Sequence, residues 1–265
     1  MSEPIIIAIA NQKGGVGKTT SAINLGAALA DAGQRTILID LDPQGNASTG
    51  LGIDPDRREI TSYDLLGGQA TLAAAALNTD VENLRIVPST PDLSSADIDF
   101  SRSADRTRLL RRSLRAEAGA DLVLIDCPPA LGLLTVNAMV AADAVLVPLQ
   151  AEFYALEGLS QLLMTVRQIR QTANPDLRVN GVLLTMADSR NNLSQQVEAD
   201  ARATLGDLVY RTTIPRNVRV SEAPSFGKPV VHYDPSSKGG IAYREFAREF
   251  AGRLKQIETK EAVNG

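Results

Sequence analysis

The sequence predicts an α/β protein, a doubly wound and mostly parallel sheet flanked by helices. Three observations lead there. Short apolar runs alternate with longer helical patterns along the chain, the signature of strand–helix–strand units. The runs are continuous and rich in Ile, Val and Leu, as in strands covered on both faces. The first run leads directly into a glycine-rich segment that opens a helix.

The elements follow in order. "IIIAIA" (Ile5–Ala10) reads as a buried strand, and Ser21–Gly33 as a helix stopped by its final glycine. Arg35–Asp40, Leu84–Ser89, Asp121–Asp126, Asp143–Leu149 and Val179–Thr185 read as further strands, with a last short one at Leu208–Ile214. Leu131–Ala142, Leu156–Ala173 and Leu193–Leu205 carry helical patterns. No repeat and no Pro-, Gly- or Ser-rich linker divides the chain, so residues 1–265 are expected to form one domain, ending in a fraying helix end and a polar tail at about 255–265. In open sheets of this kind, ligands sit at the carboxyl ends of the strands.

Bulk properties narrow the function. With 44% hydrophobic and 22% charged residues, the 265-residue chain has a globular composition. A net charge of −4 argues against an all-over basic coat, though not against a local basic patch. One cysteine, Cys127, and one histidine, His232, supply neither an internal disulfide nor a Cys/His metal cluster, which fits a reducing cytoplasm. No apolar run approaches a membrane span, and "MSEP" is too short and polar for a signal peptide.

"GGVGKT" (Gly14–Thr19) follows the first strand and opens the first helix, the context a phosphate loop requires. Glycines allow a tight turn, and the helix N-terminus favours an anion. Lys18 is placed for β/γ phosphates and the Thr19 hydroxyl for Mg²⁺. Gln12 stands where the usual first glycine would be, and beside it Lys13 is a second lysine.

The stretch resembles the deviant Walker A box, KGGxGKT, of the ParA/MinD group of P-loop ATPases. "DLDPQGN" (Asp40–Asn46), "LIDCPP" (Leu124–Pro129) and "IPRNVRVSEAPSFGKP" (Ile214–Pro229) are similar to further motifs of its ParA/Soj branch. The likeness spans residues 5–250, and the last motif is specific to that branch.

The resemblance implies ATP and Mg²⁺ as cofactors. Lys13, Gly14, Gly15, Val16, Gly17, Lys18, Thr19 and Thr20 would meet the phosphates, with Pro215 and Asn217 at the adenine. Asp126, at a strand end, would join Thr19 at the metal; a turn acid is its plainer reading. Asp42 would orient the attacking water, and Asp40 would stand in the metal's outer shell, or else be a solvated strand end or a structural hydrogen-bond acceptor. Lys13 would cross to the partner's nucleotide in a homodimer, with Gly14 at the interface and Glu152 pairing with Lys13 outside the dimer. Lys13, Lys18 and Asp42 are therefore the expected catalytic set. Cys127 reads as a packing residue and His232 as structural.

The resemblance further implies a slow ATPase, stimulated by a ParB-like centromere-binding protein, whose ATP-bound dimer holds nonspecific double-stranded DNA during chromosome or plasmid partitioning. Its place would be the nucleoid. Arg190 and Arg219 match positions used for DNA, with Arg216 a nearby candidate. Arg211, Arg216, Arg219 and Lys228 stand against Glu222 alone between Leu208 and Lys228. A second basic stretch carries Arg102, Arg106, Arg108, Arg111, Arg112 and Arg115 against Asp105, and reads as a solvated helix face or a supplementary DNA contact. The chain begins four residues before its first strand, so no added operator-binding domain is expected. The alternative is a MinD-like membrane-surface ATPase. Against it, the stripe Ile241, Phe246, Phe250 and Leu254 reads as core-facing and the extreme C-terminus is polar. A nitrogenase-reductase-like protein would need more cysteines than one per chain.

Overall fold

A computed structural model describes residues 3–114, 119–152 and 155–264. Among them, seven strands form one sheet: β1 (Ile5–Ile9), β2 (Thr36–Asp40), β3 (Leu77–Asn78), β4 (Leu84–Val87), β5 (Leu122–Asp126), β6 (Ala144–Gln150) and β7 (Arg178–Thr185). Their order across the sheet is β3-β4-β2-β5-β1-β6-β7. All pairings are parallel except β3 with β4. The doubly wound expectation is met, with a two-residue antiparallel edge added.

The period-2 geometry of a strand explains how continuous apolar runs serve both faces. Ile6 and Ala8 pack into one core with Ile37, Ile39, Val123 and Ile125, beneath the helices Leu133–Ala141 and Ala155–Thr172. Ile7 and Ile9 pack into the other with Leu38 and Leu124, beneath α1 (Lys18–Asp31) and the C-terminal helix Lys238–Asn264. Phe246, Phe250 and Leu254 are buried in that second core, whereas Ile241 is 44% exposed, so the expected stripe faces inward along all but its first residue.

One expected strand needs correction. Leu208–Ile214 is not a strand. It makes one isolated bridge, Val209 to Val182, and the Tyr210 and Ile214 N–H groups donate to the Val182 and Leu184 carbonyls at 2.9 and 2.8 Å without forming a ladder. The N–H groups of Arg211 and Thr212 instead donate to the Glu249 carboxylate of the C-terminal helix, at 2.8 and 2.9 Å. That helix itself runs from Lys238 to Asn264.

Candidate active site

The parallel register sets the carboxyl ends of β1, β2 and β5 side by side. Asp126 pairs with Ile9 on one side and with Asp40 on the other. The phosphate loop leaves β1 above Asp126. Gly15 (φ 74°) and Gly17 (φ 83°) take left-handed backbone, which glycine adopts without strain, and Gly17 opens α1 at Lys18. The helix therefore starts three residues earlier than Ser21. A Cβ on Gly14 would meet nothing within 4 Å. Its own chain does not demand a glycine there.

The loop is tied down on two sides. The Thr185 hydroxyl, at the end of β7, donates to the Val16 carbonyl at 2.8 Å. Asn11 donates to the Pro148 carbonyl at 2.7 Å and accepts from the Lys13 N–H at 3.0 Å.

The two lysines part company. Lys18 is buried, and its Nζ donates to the Lys13 carbonyl at 3.1 Å. Burial lowers its pKa, opposed first by Asp126. Lys13 is exposed and its ammonium is paired with Glu152, each side chain 45% exposed.

Asp126 is fully buried, and neither carboxylate oxygen accepts a hydrogen bond. Burial, with Asp40 as a second cause, raises its pKa well above the carboxylate range. Thr19 and Lys18 oppose the shift, Thr19 without completing a hydrogen bond of normal geometry. A buried acid without a donor beside a lysine and a hydroxyl fits a divalent cation. Among the described residues no group of three or more His, Cys, Asp or Glu could cage a metal. Mg²⁺ bound with a nucleotide needs no such cage, because phosphates and waters complete its shell.

Asp42 is 8% exposed, and its Oδ1 accepts from Gln44 N–H at 3.0 Å. Asp40 is fully buried and pushed up to about 6, chiefly by burial. Its Oδ2 accepts from both the N–H and the hydroxyl of Ser48, at 2.8 and 2.6 Å. Cys127 is buried beside Asp126, and burial pushes its thiol up, as suits a packing residue. His232 Nε2 lies 2.9 Å from Asp31 on the surface.

Beside the loop lies a cleft of about 230 Å³, lined by Gly17, Thr20, Met186, Pro215, Asn217 and Tyr243 among others. Asn217 also caps the short helix Val218–Glu222 through the Arg219 N–H at 2.9 Å. The Arg216 N–H donates to the Ala187 carbonyl at 3.0 Å, which brings the loop carrying Arg190 against the segment carrying Arg216. All three arginines are exposed. Arg190 pairs with Asp188, and Arg219 with Glu222 and Asp234.

The second basic stretch is less uniform than its sequence. Arg111 is half-buried against the Val140 carbonyl, Arg112 pairs with Asp105, and Arg115 lies outside the described residues.

The family model described as an AAA domain matches residues 5–179. The chain is 55% identical over 260 residues to the chromosome partitioning protein ParA of Caulobacter vibrioides, covering 97% of each. It is 52% identical to the sporulation initiation inhibitor protein Soj of Bacillus subtilis, covering 93% of this chain and 98% of that one. The chain belongs to the ParA/Soj family of ATPases.

Among solved structures, this ParA/Soj-family chain resembles a Mycobacterium smegmatis protein described as cobyrinic acid a,c-diamide synthase with bound ADP and magnesium. The TM-score is 0.83 at 39% identity, over 95% of this chain and 96% of that one. Sequence reasoning singled out the loop, both lysines and the acids, and the resemblance added Pro215 and Asn217, which line the cleft beside the loop. It missed Asn11, Thr185, Ser48 and Ser89, whose bonds join segments distant along the chain and follow no local spacing.

Proposed function

We propose that the chain is an ATP-driven DNA-segregation switch. The observation that carries this reading is the separation of Lys13 from Lys18. One lysine is turned into its own loop, and the other stands on the outer side, held by an exposed carboxylate. Lys18, Thr19 and the loop N–H groups bind the phosphates, while Thr20, Pro215 and Asn217 bound the adenine cleft. Thr19 and Asp126 hold Mg²⁺, which when bound neutralises phosphate charge. Asp42 orients the attacking water.

Lys13 leaves Glu152 to reach the nucleotide of a second copy. The open space at Gly14 supports close approach there. Two chains joined this way double the arginines offered to DNA, so affinity rises by multivalency without a change of fold. Arg190, Arg216 and Arg219 contact phosphates rather than bases. A ParB-like partner stimulates hydrolysis and release. Chromosome partitioning is supported by the relatives' names. No helix among the described residues is long and apolar enough to cross a membrane.

The test is retention of nonspecific double-stranded DNA with ATP, with ADP and without nucleotide, at two salt concentrations. Retention only with ATP, falling steeply with salt, is the expected result. Equal retention in all three states contradicts the switch.

A further inference from the structure

We infer that Ser89, backed by Ser48 and Asp40, is a positioning residue for hydrolysis that fixes the peptide of Asp42; this rests on the reading of Asp42 as the water-orienting acid. The Ser89 hydroxyl donates to the Asp42 carbonyl at 2.7 Å. The same carbonyl accepts from the Gly45 N–H at 2.9 Å. On the other side of the residue, the Asp42 N–H donates to Asp40 Oδ1 at 3.3 Å. Asp42 is thus held at both its backbone donor and its backbone acceptor.

The two anchors are themselves joined. Ser48 spends its single hydroxyl proton on Asp40 Oδ2, so its oxygen is left to accept, and the Ser89 N–H donates to it at 3.0 Å. Ser89 then has its own hydroxyl proton for Asp42. The chain of bonds has a single direction, the Thr90 carbonyl lying at 3.5 Å from the Ser89 hydroxyl against 2.7 Å for that of Asp42. Asp40, Ser48 and Ser89 are each 0% exposed, so water does not compete for these bonds. Arg58 Nη1 holds the Ser89 carbonyl at 3.1 Å and bonds Ile53 and Thr49 with its other nitrogens. Ser89 follows β4 while Asp42 follows β2, so the network clamps two neighbouring strand ends together. Both Asp40 oxygens receive protein donors, which places Asp40 behind Asp42 rather than on the metal. An error of about 1 Å in a group that orients a reactant costs about 100-fold in rate, which is what the clamp prevents.

The experiment compares wild type, Ser89→Ala, Asp40→Asn and Asp42→Ala as full chains. It measures kcat and KM for ATP with saturating DNA, and the Mg²⁺ concentration giving half-maximal rate. Ser89→Ala and Asp40→Asn are expected to lower kcat about tenfold or more, with KM and the Mg²⁺ midpoint within about twofold of wild type. A tenfold rise in the Mg²⁺ midpoint for Asp40→Asn would put that residue in the metal's outer shell and overturn the proposal. So would a Ser89→Ala variant with wild-type kcat, or one whose KM changes as much as its kcat, while Asp42→Ala is inactive. Wild-type turnover by Asp42→Ala would remove the underlying reading, and the proposal with it.

Discussion

Lys18 donates to the backbone carbonyl of Lys13 at 3.1 Å, while the ammonium of Lys13 itself is paired with Glu152. One loop therefore holds a buried cation bonded to its own backbone and an exposed cation paired with a carboxylate. Lys18→Ala removes the inward charge. ATP affinity, measured by calorimetric titration, is expected to fall about 100-fold, the scale of about 3 kcal/mol for a charge-assisted contact. The Lys13→Ala change should leave monomer nucleotide affinity within a few-fold.

Asp40 gives a pH prediction. Its pKa rises from 3.8 to about 6 in the fold, with burial as the main cause. Between those values the folded chain holds a proton that the unfolded chain has released. The contribution of Asp40 to stability is therefore fully present below its unfolded pKa, and is lost as pH rises through about 6. At neutral pH its buried charge costs up to about 3 kcal/mol. Without nucleotide and Mg²⁺, Asp40→Asn should raise Tm at pH 7.5, and the gain should shrink towards pH 4. A gain that is the same at both pH values contradicts the assignment. The variant is thus expected to be more stable and less active, a trade common at functional sites.

Thr185 pins the phosphate loop to β7 through Val16. Thr185→Val keeps the shape of the side chain and deletes the donor. A loss of about 1 kcal/mol in stability is expected by denaturant unfolding, with ATP binding weakened several-fold because the loop is less fixed. Unchanged ATP affinity would show that the loop holds its form without this bond.

How much of this was legible follows from where each bond reaches. β1 and the phosphate loop were readable because an apolar run, two left-handed glycines and a helix start lie within about 15 residues. Asp126 was readable because it ends an unbroken apolar strand. Ser89 was not, because its partners Ser48 and Asp42 are 41 and 47 residues away. Thr185 looked like one more strand residue, although it reaches Val16 across 169 positions. "LVYRTTI" carries strand-forming residues, but Glu249 captures two of its N–H groups, a competitor invisible at that spacing. The antiparallel edge Leu77–Asn78 is too short to leave any periodicity.

Arg219 stands at the start of the short helix Val218–Glu222, between Glu222 and Asp234. Exposed pairs of this kind are weak, and a phosphate can replace either carboxylate. Arg219→Glu should abolish DNA retention while ATP-dependent dimerisation persists in sedimentation. Salt-sensitive DNA retention at the wild-type level would mean that DNA binds elsewhere.

The central claim is that Lys13 turns a phosphate loop into a two-chain device. The direct measurement is sedimentation equilibrium with ATP and Mg²⁺ in an Asp42→Ala background, where the proposed role of Asp42 predicts that hydrolysis stops. The single variant is predicted to be a dimer. Adding Lys13→Ala is predicted to leave it monomeric with ATP still bound. A double variant that dimerises as tightly as Asp42→Ala alone would contradict the claim, leaving an ordinary phosphate loop beside a surface ion pair.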